Sequence, residues 1–167
     1  PVTTFEWMTS AEHLHELAKL VRAEKERLGR KINVVEIGSY VGESAVAMAV
    51  TDCCANILCI DNFKGIDKEW QQYIRDMIGG PDTLRKLFKQ NTAQFDNIHL
   101  IEGLSYRVAS EVDLGAIFEP EQKADLVYID GDHSYDSVKR DIEDWLPKIQ
   151  EEGIIVGHDY GADRFPG

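Results

Sequence analysis

Basic residues are scarce in this sequence relative to acidic ones. It has 18 Lys and Arg against 30 Asp and Glu, which gives a formal net charge of −12. Nucleic-acid phosphates and anionic membrane surfaces are bound by clusters of positive charge, so this composition argues against both kinds of partner. Long apolar runs are also missing, and no stretch is a candidate membrane span.

Cysteine is rare and poorly spaced for cross-linking. The three cysteines are Cys53, Cys54 and Cys59, an odd number with two of them adjacent. This pattern matches neither a disulfide framework nor a zinc site. We therefore expect reduced thiols, in or beside a core strand of a cytoplasmic protein. His13 and His15 are two residues apart and do not share a helix face, so we interpret them as solvent-side residues of a helix.

The sequence has enough hydrophobic residues to form one globular core. A chain of 167 residues with 43% hydrophobic residues predicts a single domain over residues 1–167. We divide it into an N-terminal helix in 1–30 and a core over 31–160. A polar stretch at 64–80 carries Trp70 and Tyr73. It is either a lid or an inserted helix with local aromatic packing.

Short apolar segments alternate with helical ones along the chain. Strands are predicted at 32–37, 56–60, 98–101, 125–129 and 153–156, and helices at 9–29, 43–51, 81–95, 105–113 and 135–149. We expect Thr9 to cap the first helix and Asp82 to cap the third. This alternation predicts an α/β fold with a doubly wound, mostly parallel sheet and helices on both faces. Ligands of such sheets bind at the carboxyl ends of the strands.

The most informative stretch is Val34 to Ser44, which reads VVEIGSYVGES. An apolar strand turns there through Gly38 and Gly42 into a helix, whose free N–H groups would face the same crevice. The turn has Tyr40 where dinucleotide-binding turns have their central glycine, which disfavours a pyrophosphate and therefore NAD. Asp61 follows about 20 residues later and could accept the hydroxyls of a ribose. A ligand with a ribose and no pyrophosphate fits S-adenosylmethionine.

These segments resemble a known family. The stretch EIGSYVGES is similar to the first motif of the class I S-adenosylmethionine-dependent methyltransferases, in particular the catechol and caffeoyl-CoA O-methyltransferases. The segments DGDHSY and GHDY are similar to those of small bacterial methyltransferases, including macrolide-sugar O-methyltransferases and relatives of cephalosporin-tailoring proteins. The resemblance covers residues 32–160. It implies a Rossmann-like methyltransferase that moves a methyl group to a hydroxyl of a small-molecule acceptor.

The resemblance also implies roles for individual residues. Asp130 lies where the family has a carboxylate for a metal or for the cofactor amine, and His133 lies where catechol-type enzymes have a catalytic lysine. Asp159 matches a second metal carboxylate. The implied catalytic residues are thus His133, Asp130 and Asp159. The implied cofactor-binding residues are Glu36, Gly38, Ser39, Tyr40, Gly42, Ser44, Asp61, Asn62, Gly103, Ser105 and Asp130.

The metal is the open part of this prediction. Asp130, His158 and Asp159 would be its ligands, at the ends of the fourth and fifth strands, which we expect to be neighbours. A bound divalent ion such as Mg²⁺ would lower the pKa of an acceptor hydroxyl. However, His158 stands where macrolide-sugar relatives have an acid, and imidazole is a poor Mg²⁺ ligand. Either the ion is not Mg²⁺, or His158 is a second base, or no metal binds.

The predicted sheet lacks two strands of the family pattern. Class I methyltransferases usually add an antiparallel hairpin, strands six and seven, after the fifth strand, and this sequence ends at Gly167. We therefore expect an exposed edge at the fifth strand, which favours a homodimer. Two rival functions remain at this point. The domain is either an inert S-adenosylmethionine-binding module or partner subunit, or an NAD-binding oxidoreductase.

Overall fold

The computed structural model of the chain describes residues 10–65 and 67–158. The strands are β1 Ile32–Ile37, β2 Cys54–Asp61, β3 Ile98–Glu102, β4 Ala124–Ile129 and β5 Ile149–Gly157. The α-helices are α1 Ala11–Leu28, α2 Glu43–Ala49, α3 Lys68–Tyr73, α4 Pro81–Thr92, α5 Ser105–Glu111 and α6 Tyr135–Trp145. The strands form one sheet in the order β3-β2-β1-β4-β5, and every neighbouring pair is parallel.

The central strand β1 is buried along its whole length. Successive side chains of a strand point to opposite faces, so Val34 belongs to one apolar cluster and Val35 to another. The first cluster contains residues of α1, α2 and α4, and the second contains residues of α5 and α6. Helices therefore cover both faces, and the predicted doubly wound α/β fold is confirmed.

Helix α1 runs back along the sheet, antiparallel to β1. A short turn through Gly29, in the left-handed conformation, connects the two elements. Near this turn, Arg30 donates to both carboxylate oxygens of Asp125 at the start of β4, at 2.9 and 2.6 Å. The end of α1 is thereby held at the amino edge of the sheet, and its beginning reaches the carboxyl edge.

Two helix starts differ from the prediction. The cap of α1 is Ser10, whose hydroxyl accepts from the backbone N–H of His13; Thr9 lies outside the described residues. Helix α4 starts after Gly80 with Pro81 in its first turn and has no side-chain cap. Asp82 instead accepts from Arg85 Nη1 at 2.5 Å.

In the described part of the stretch 64–80, which leaves out residue 66, α3 is followed by one π-helical turn, Ile74–Ile78. Ile74 and Ile78 are buried in the first apolar cluster, whereas α3 has no buried residue. The π-helical turn is therefore anchored to the core, and only α3 has the exposure that a lid needs. Its role as a lid stays a prediction.

The membrane prediction can be compared with the helices directly. Among residues 10–65 and 67–158, none of the helices combines the length and the apolar character that a bilayer crossing requires.

Candidate functional site

The loop after β1 is shaped by its contact with the end of β4. Gly38 has φ +87°, and its N–H donates to Ile60 O of the neighbouring β2 at 2.8 Å. A Cβ at this position would lie 2.2 Å from the carbonyl oxygen of Asp130. Asp130 N–H in turn donates to Ile37 O at 2.8 Å. Gly38 thus lets the ends of β1 and β4 approach each other, whereas the sequence pattern predicted that a ligand would approach there.

The second glycine of the motif has a similar use. Gly42 has φ +84°, and a Cβ there would lie 2.9 Å from Thr92 Cγ2 and 3.2 Å from the ring of Phe88. Both of those residues belong to α4. The tight turn into α2 is therefore set by packing against α4. Whether the glycines also contact the cofactor stays a prediction.

Glu36 is a fully buried acid in the middle of the sheet. Cys59 Sγ donates to Glu36 Oε2 at 3.4 Å. Burial raises the pKa of the Glu36 carboxyl, and the nearby Ser39 and Ser44 hydroxyls and the Cys59 thiol lower it only in part. Ser39 and Ser44 are themselves buried. Ser39 lies in the glycine turn and Ser44 in the first turn of α2, so this polar cluster joins the end of β1 to both.

Asp61 connects the glycine turn with the end of β2. Its Oδ2 accepts from the backbone N–H of Tyr40 at 2.7 Å, and its Oδ1 accepts from Phe63 N–H at 2.6 Å. Burial raises the pKa of this carboxyl, while the amides of Phe63, Tyr40 and Ser39 act in the opposite direction. A carboxylate oxygen has more than one lone-pair site, so each oxygen can still accept a bond from a ligand hydroxyl.

A cleft of about 590 Å³ is lined by residues that follow β2, by the end of β3 and by α5. Asp61 is not among the lining residues, but its neighbour in sequence, Asn62, is. Two predicted cofactor residues, Asn62 and Gly103, line it. Apolar and charged side chains complete the lining. Its other residues are Lys64, Ile101, Glu102, Leu104, Arg107, Val108, Glu111 and Val112. Glu102 is fixed by a two-bond contact with Arg85 of α4, with both distances 2.6 Å.

Two other predicted cofactor residues, Ser105 and Tyr40, contact other side chains of the protein. The hydroxyl of Ser105 accepts from Trp145 Nε1 at 2.8 Å, across the packing of α5 on α6. Tyr40 lies in the turn with φ +47°, and its ring packs at the edge of the first apolar cluster. Its phenol pKa is raised, first by burial and then by the neighbouring Tyr73 of α3.

The ends of β4 and β5 bring Asp130 and His158 together. His158 Nδ1 lies 3.3 Å from Asp130 Oδ1, and Tyr128 donates its hydroxyl to Asp130 Oδ2 at 3.4 Å. On the other side of the His158 ring, Nε2 lies 3.1 Å from Nδ1 of His13 on α1. The predicted neighbourhood of β4 and β5 is therefore correct, and α1 contributes a residue to it.

The remaining predicted catalytic residues are His133 and Asp159. His133 is half-buried in the loop between β4 and α6. In the same loop, Asp132 accepts from Ser134 N–H at 2.9 Å and from the Ser137 hydroxyl at 2.7 Å. Asp159 lies outside the described residues, so its predicted role is untested.

The predicted metal site can be compared with these positions. Within the described parts of the chain, no three His, Cys, Asp or Glu side chains are grouped to hold an ion. Asp130 is the one carboxylate facing His158 among those residues, whereas Mg²⁺ is bound through carboxylates and water. The described residues therefore do not fit a Mg²⁺ site, and no chemical step is assigned to Mg²⁺ below.

His13 is exposed on α1, as predicted, but its contact with His158 was not predicted from the sequence. A signal was available, because an α-helix of 18 residues spans about 27 Å and a short turn joins it to β1. Such a helix must return its first residues to the carboxyl edge of the sheet. Leu104 and Arg107, which line the cleft, were not among the predicted residues, since nothing in a short helix start marks them.

A sequence comparison identifies a family for this chain. The model of a family described as a methyltransferase domain matches residues 35–160. Among curated proteins, an uncharacterized protein, y4gI, of Sinorhizobium fredii is 23% identical over 134 residues, which are 78% of this chain and 13% of that protein. The match thus covers a small part of a much longer relative.

Solved structures with the same fold include two methyltransferase examples. A protein provisionally assigned as a caffeoyl-CoA O-methyltransferase from Staphylococcus aureus has a TM-score of 0.60 and 19% identity, with 95% of this chain and 59% of that chain covered. The Podospora anserina methyltransferase PaMTH1, bound to S-adenosylhomocysteine, has a TM-score of 0.54 and 21% identity, with 86% and 52% covered. This chain spans little more than half of either structure.

Proposed function

This chain belongs to the class I S-adenosylmethionine-dependent methyltransferases, and we propose that it transfers the methyl group of that cofactor to a hydroxyl of a small-molecule acceptor. The family is established by the matched domain over 35–160. The substrate class is the proposal. It is supported by the resemblance to O-methyltransferases and by the net charge of −12, which disfavours nucleic acid.

The observation that carries the cofactor proposal is Asp61 at the end of β2, next in sequence to Asn62 of the cleft. Its carboxylate is fixed by two backbone N–H groups and keeps acceptor capacity for the two ribose hydroxyls. The cleft next to it would receive the adenine between Asn62 and Leu104. The methionine end would then extend along the loop of Gly38 and Gly42 towards Asp130. A pyrophosphate could not approach the backbone of this turn as closely, because Tyr40 replaces the central glycine.

The proposed reaction needs alignment and one proton acceptor. The acceptor oxygen attacks the methyl carbon while the bond from carbon to sulfur breaks, and S-adenosylhomocysteine leaves. Fixing the two reactants in line supplies much of the rate. The hydroxyl proton passes to a base, for which we propose His133, beside Asp130 at the end of β4. Turnover by His133→Ala equal to that of the wild type, at equal cofactor affinity, would contradict this role.

Calorimetric titration with S-adenosylhomocysteine tests the cofactor proposal. We expect micromolar binding, and Asp61→Asn should weaken it by about 10- to 100-fold, because hydrogen bonds to a charged acceptor contribute about 1.5–3 kcal/mol. The matched control is Asp113→Asn. Asp113 also accepts a backbone N–H, from Gly115, but it follows α5 and does not lie at the carboxyl end of a strand. Equal affinity of Asp61→Asn and Asp113→Asn would refute the assignment.

Asp61 also holds the glycine turn, so a second variant is needed that leaves this turn intact. Leu104 lines the cleft with 40% of its surface exposed, and Ile142 on α6 is 39% exposed and lies elsewhere. Leu104→Ala should weaken S-adenosylhomocysteine binding by about tenfold through lost apolar contact, and Ile142→Ala should not change it. Binding of NAD instead of S-adenosylhomocysteine would favour the oxidoreductase. Cofactor binding without turnover on any hydroxylated compound would favour the inert module.

A further inference from the structure

Helix α6 carries a row of exposed apolar side chains. Tyr135, Ile142 and Leu146 are 70%, 39% and 60% exposed, and they are three of the six large apolar side chains exposed in the described part of the chain. Their spacing of seven and four residues places them on one face of the helix. Val138, which is half-buried, lies between them on the same face. Half of the exposed large apolar residues are therefore concentrated in this apolar row of α6.

The apolar row faces away from α5, the helix that packs beside α6. On the α5 side, Arg140 lies over the ring of Tyr106 with Cζ 3.6 Å from the ring centroid, and Trp145 donates to Ser105 at 2.8 Å. At about 100° per residue, these contacts lie on the opposite side of the helix from the row. Because α5 packs on β2 and α6 packs on β4, the row is directed towards β5, at the edge of the sheet.

The charged residues beside the row form a self-complementary pattern. Lys139 and Glu143 lie on the same side of the row, with Nζ 3.9 Å from Oε1, and both side chains are more than half exposed. Asp141 is the midpoint of this pair in sequence, and the row from Tyr135 to Leu146 has its midpoint within one residue of it. In an antiparallel pair of such helices, Lys139 of each copy faces Glu143 of the other. Leu146 of each copy then faces Tyr135 of the other.

From this pattern we propose that α6 is the contact surface between two copies of this chain, related by a two-fold axis with the two helices antiparallel. Burial of the apolar row supplies the attraction, and the two charge pairs fix the register. A partner of a different kind would not require charges that are symmetric about the centre of the row. The same axis makes β5 of one copy antiparallel to β5 of the other, so the two strand edges have compatible directions.

Sedimentation velocity over a range of protein concentrations tests the proposal. One helix face of about three turns is smaller than the interfaces of tight complexes, so we expect a dimer with a micromolar dissociation constant. Leu146→Glu places a charge in the apolar row and should weaken the dimer at least tenfold. The matched control is Val50→Glu, at the end of α2, because Val50 is 63% exposed and lies outside the row. It should associate like the wild type.

Charge reversal tests the antiparallel register. Lys139→Glu and Glu143→Lys each convert both attractive pairs across the axis into like-charge pairs, which should weaken the dimer by about tenfold at low salt. An equimolar mixture of the two variants should associate again, because one copy then has two acids and the other two bases. The matched controls are Glu16→Lys and Lys19→Glu, an exposed ion pair on α1 with a distance of 2.6 Å. They should associate like the wild type, alone and mixed.

Three outcomes would overturn the proposal. A monomer mass at every concentration would show that two copies do not use this surface. Equal dissociation constants of Leu146→Glu and Val50→Glu would place the contact elsewhere, for example at the edge of β5 alone. A mixture of the two charge-reversal variants that associates no better than either variant alone would exclude the antiparallel arrangement. The melting temperature of each variant serves as a folding check, and none should change much because every replaced side chain is exposed. None of these results depends on the proposed cofactor or reaction.

Discussion

Gly38 and Gly42 are required by the packing of the protein itself, independently of any ligand. Both have positive φ, and a Cβ at either would overlap atoms of a neighbouring element. At Gly38 the overlap is with backbone, which cannot rotate away. The glycine turn is thus a structural junction between β1, β4 and α4, and this role is compatible with cofactor contact.

The junction predicts a difference between two glycine-to-alanine variants. Gly38→Ala should destabilise the protein by about 3–4 kcal/mol, from left-handed strain and overlap with Asp130. Gly29→Ala is the control, because Gly29 also has positive φ, at +67°, but a Cβ added there would have no other atom within 4 Å. It should cost only about 1 kcal/mol. Denaturant unfolding measures both, and equal losses would contradict the backbone overlap.

Glu36 gives a prediction for the pH dependence of stability. Its pKa is raised in the folded state by burial, so folding favours the protonated form. The resulting penalty is absent well below the unfolded pKa, grows as the pH rises through the folded pKa, and is then constant. Glu36→Gln removes the titration, so its melting temperature relative to the wild type should be higher at pH 8 than at pH 4. A difference that does not change with pH would contradict this account.

Positions that depend on local spacing were the easiest to predict. Asp61 was predicted to end the second strand, and the structure confirms that it ends β2. Its contact with the cofactor stays a prediction. The contact between His13 and His158 was not predicted, because the two residues are 145 positions apart. The length of α1 and its short connection to β1 place His13 at the carboxyl edge of the sheet, but they do not identify His158 as its partner.

At the scale of elements, buried strands were the most predictable part. β1 was predicted with its observed bounds, since four of its six residues, Ile32, Val34, Val35 and Ile37, are apolar and β-branched. β5 is longer than predicted, Ile149–Gly157 against 153–156, because its first half includes Gln150, Glu151 and Glu152. Polar residues on an edge strand remain exposed, so hydrophobicity does not reveal them.

Helix ends and irregular turns were less predictable for a physical reason. Asp82 was predicted to cap the third helix, but α4 begins one residue earlier, at Pro81, so Asp82 lies inside its first turn and accepts from Arg85. At Ile74–Ile78 the chain forms a π-helical turn with Ile74 and Ile78 buried. Residues four apart share a face of an α-helix as well, so the apolar pattern could not distinguish the two helix types.

The ion pair between Arg30, just after α1, and Asp125 of β4 gives a prediction about protein stability. Asp125 is 1% exposed and accepts from Arg30 and from Asn33 N–H. Arg30→Ala leaves this carboxylate without its cation, which should cost about 2 kcal/mol after allowance for the half-exposed arginine. The control is the next residue, since Lys31 pairs with the exposed Asp52. Lys31→Ala should change stability by less than about 0.5 kcal/mol. Similar unfolding midpoints for the two variants would contradict this assignment.

At the scale of the whole molecule, the sheet order explains why the predicted residues converge. β1 lies between β2 and β4, so the loops carrying Gly38, Asp61 and Asp130 meet at one edge. Among the described residues, β5 pairs only with β4, which leaves its outer edge available. The predicted homodimer would use such an edge. It stays a prediction that the molecular mass in solution can test.

The convergence at one edge predicts how the whole protein responds to its ligand. A ligand that binds only the folded state at a hundredfold excess over its Kd stabilises it by about 2.7 kcal/mol. For a chain of 167 residues this corresponds to a rise of about 5–10 °C in melting temperature. We expect this rise with S-adenosylhomocysteine and none with NAD, because Tyr40 occupies the turn where a pyrophosphate would lie. Asp61→Asn should reduce the shift, whereas Asp113→Asn should keep it. A shift with NAD alone would show that the sheet edge binds a dinucleotide, and the proposed methyl transfer would then be wrong.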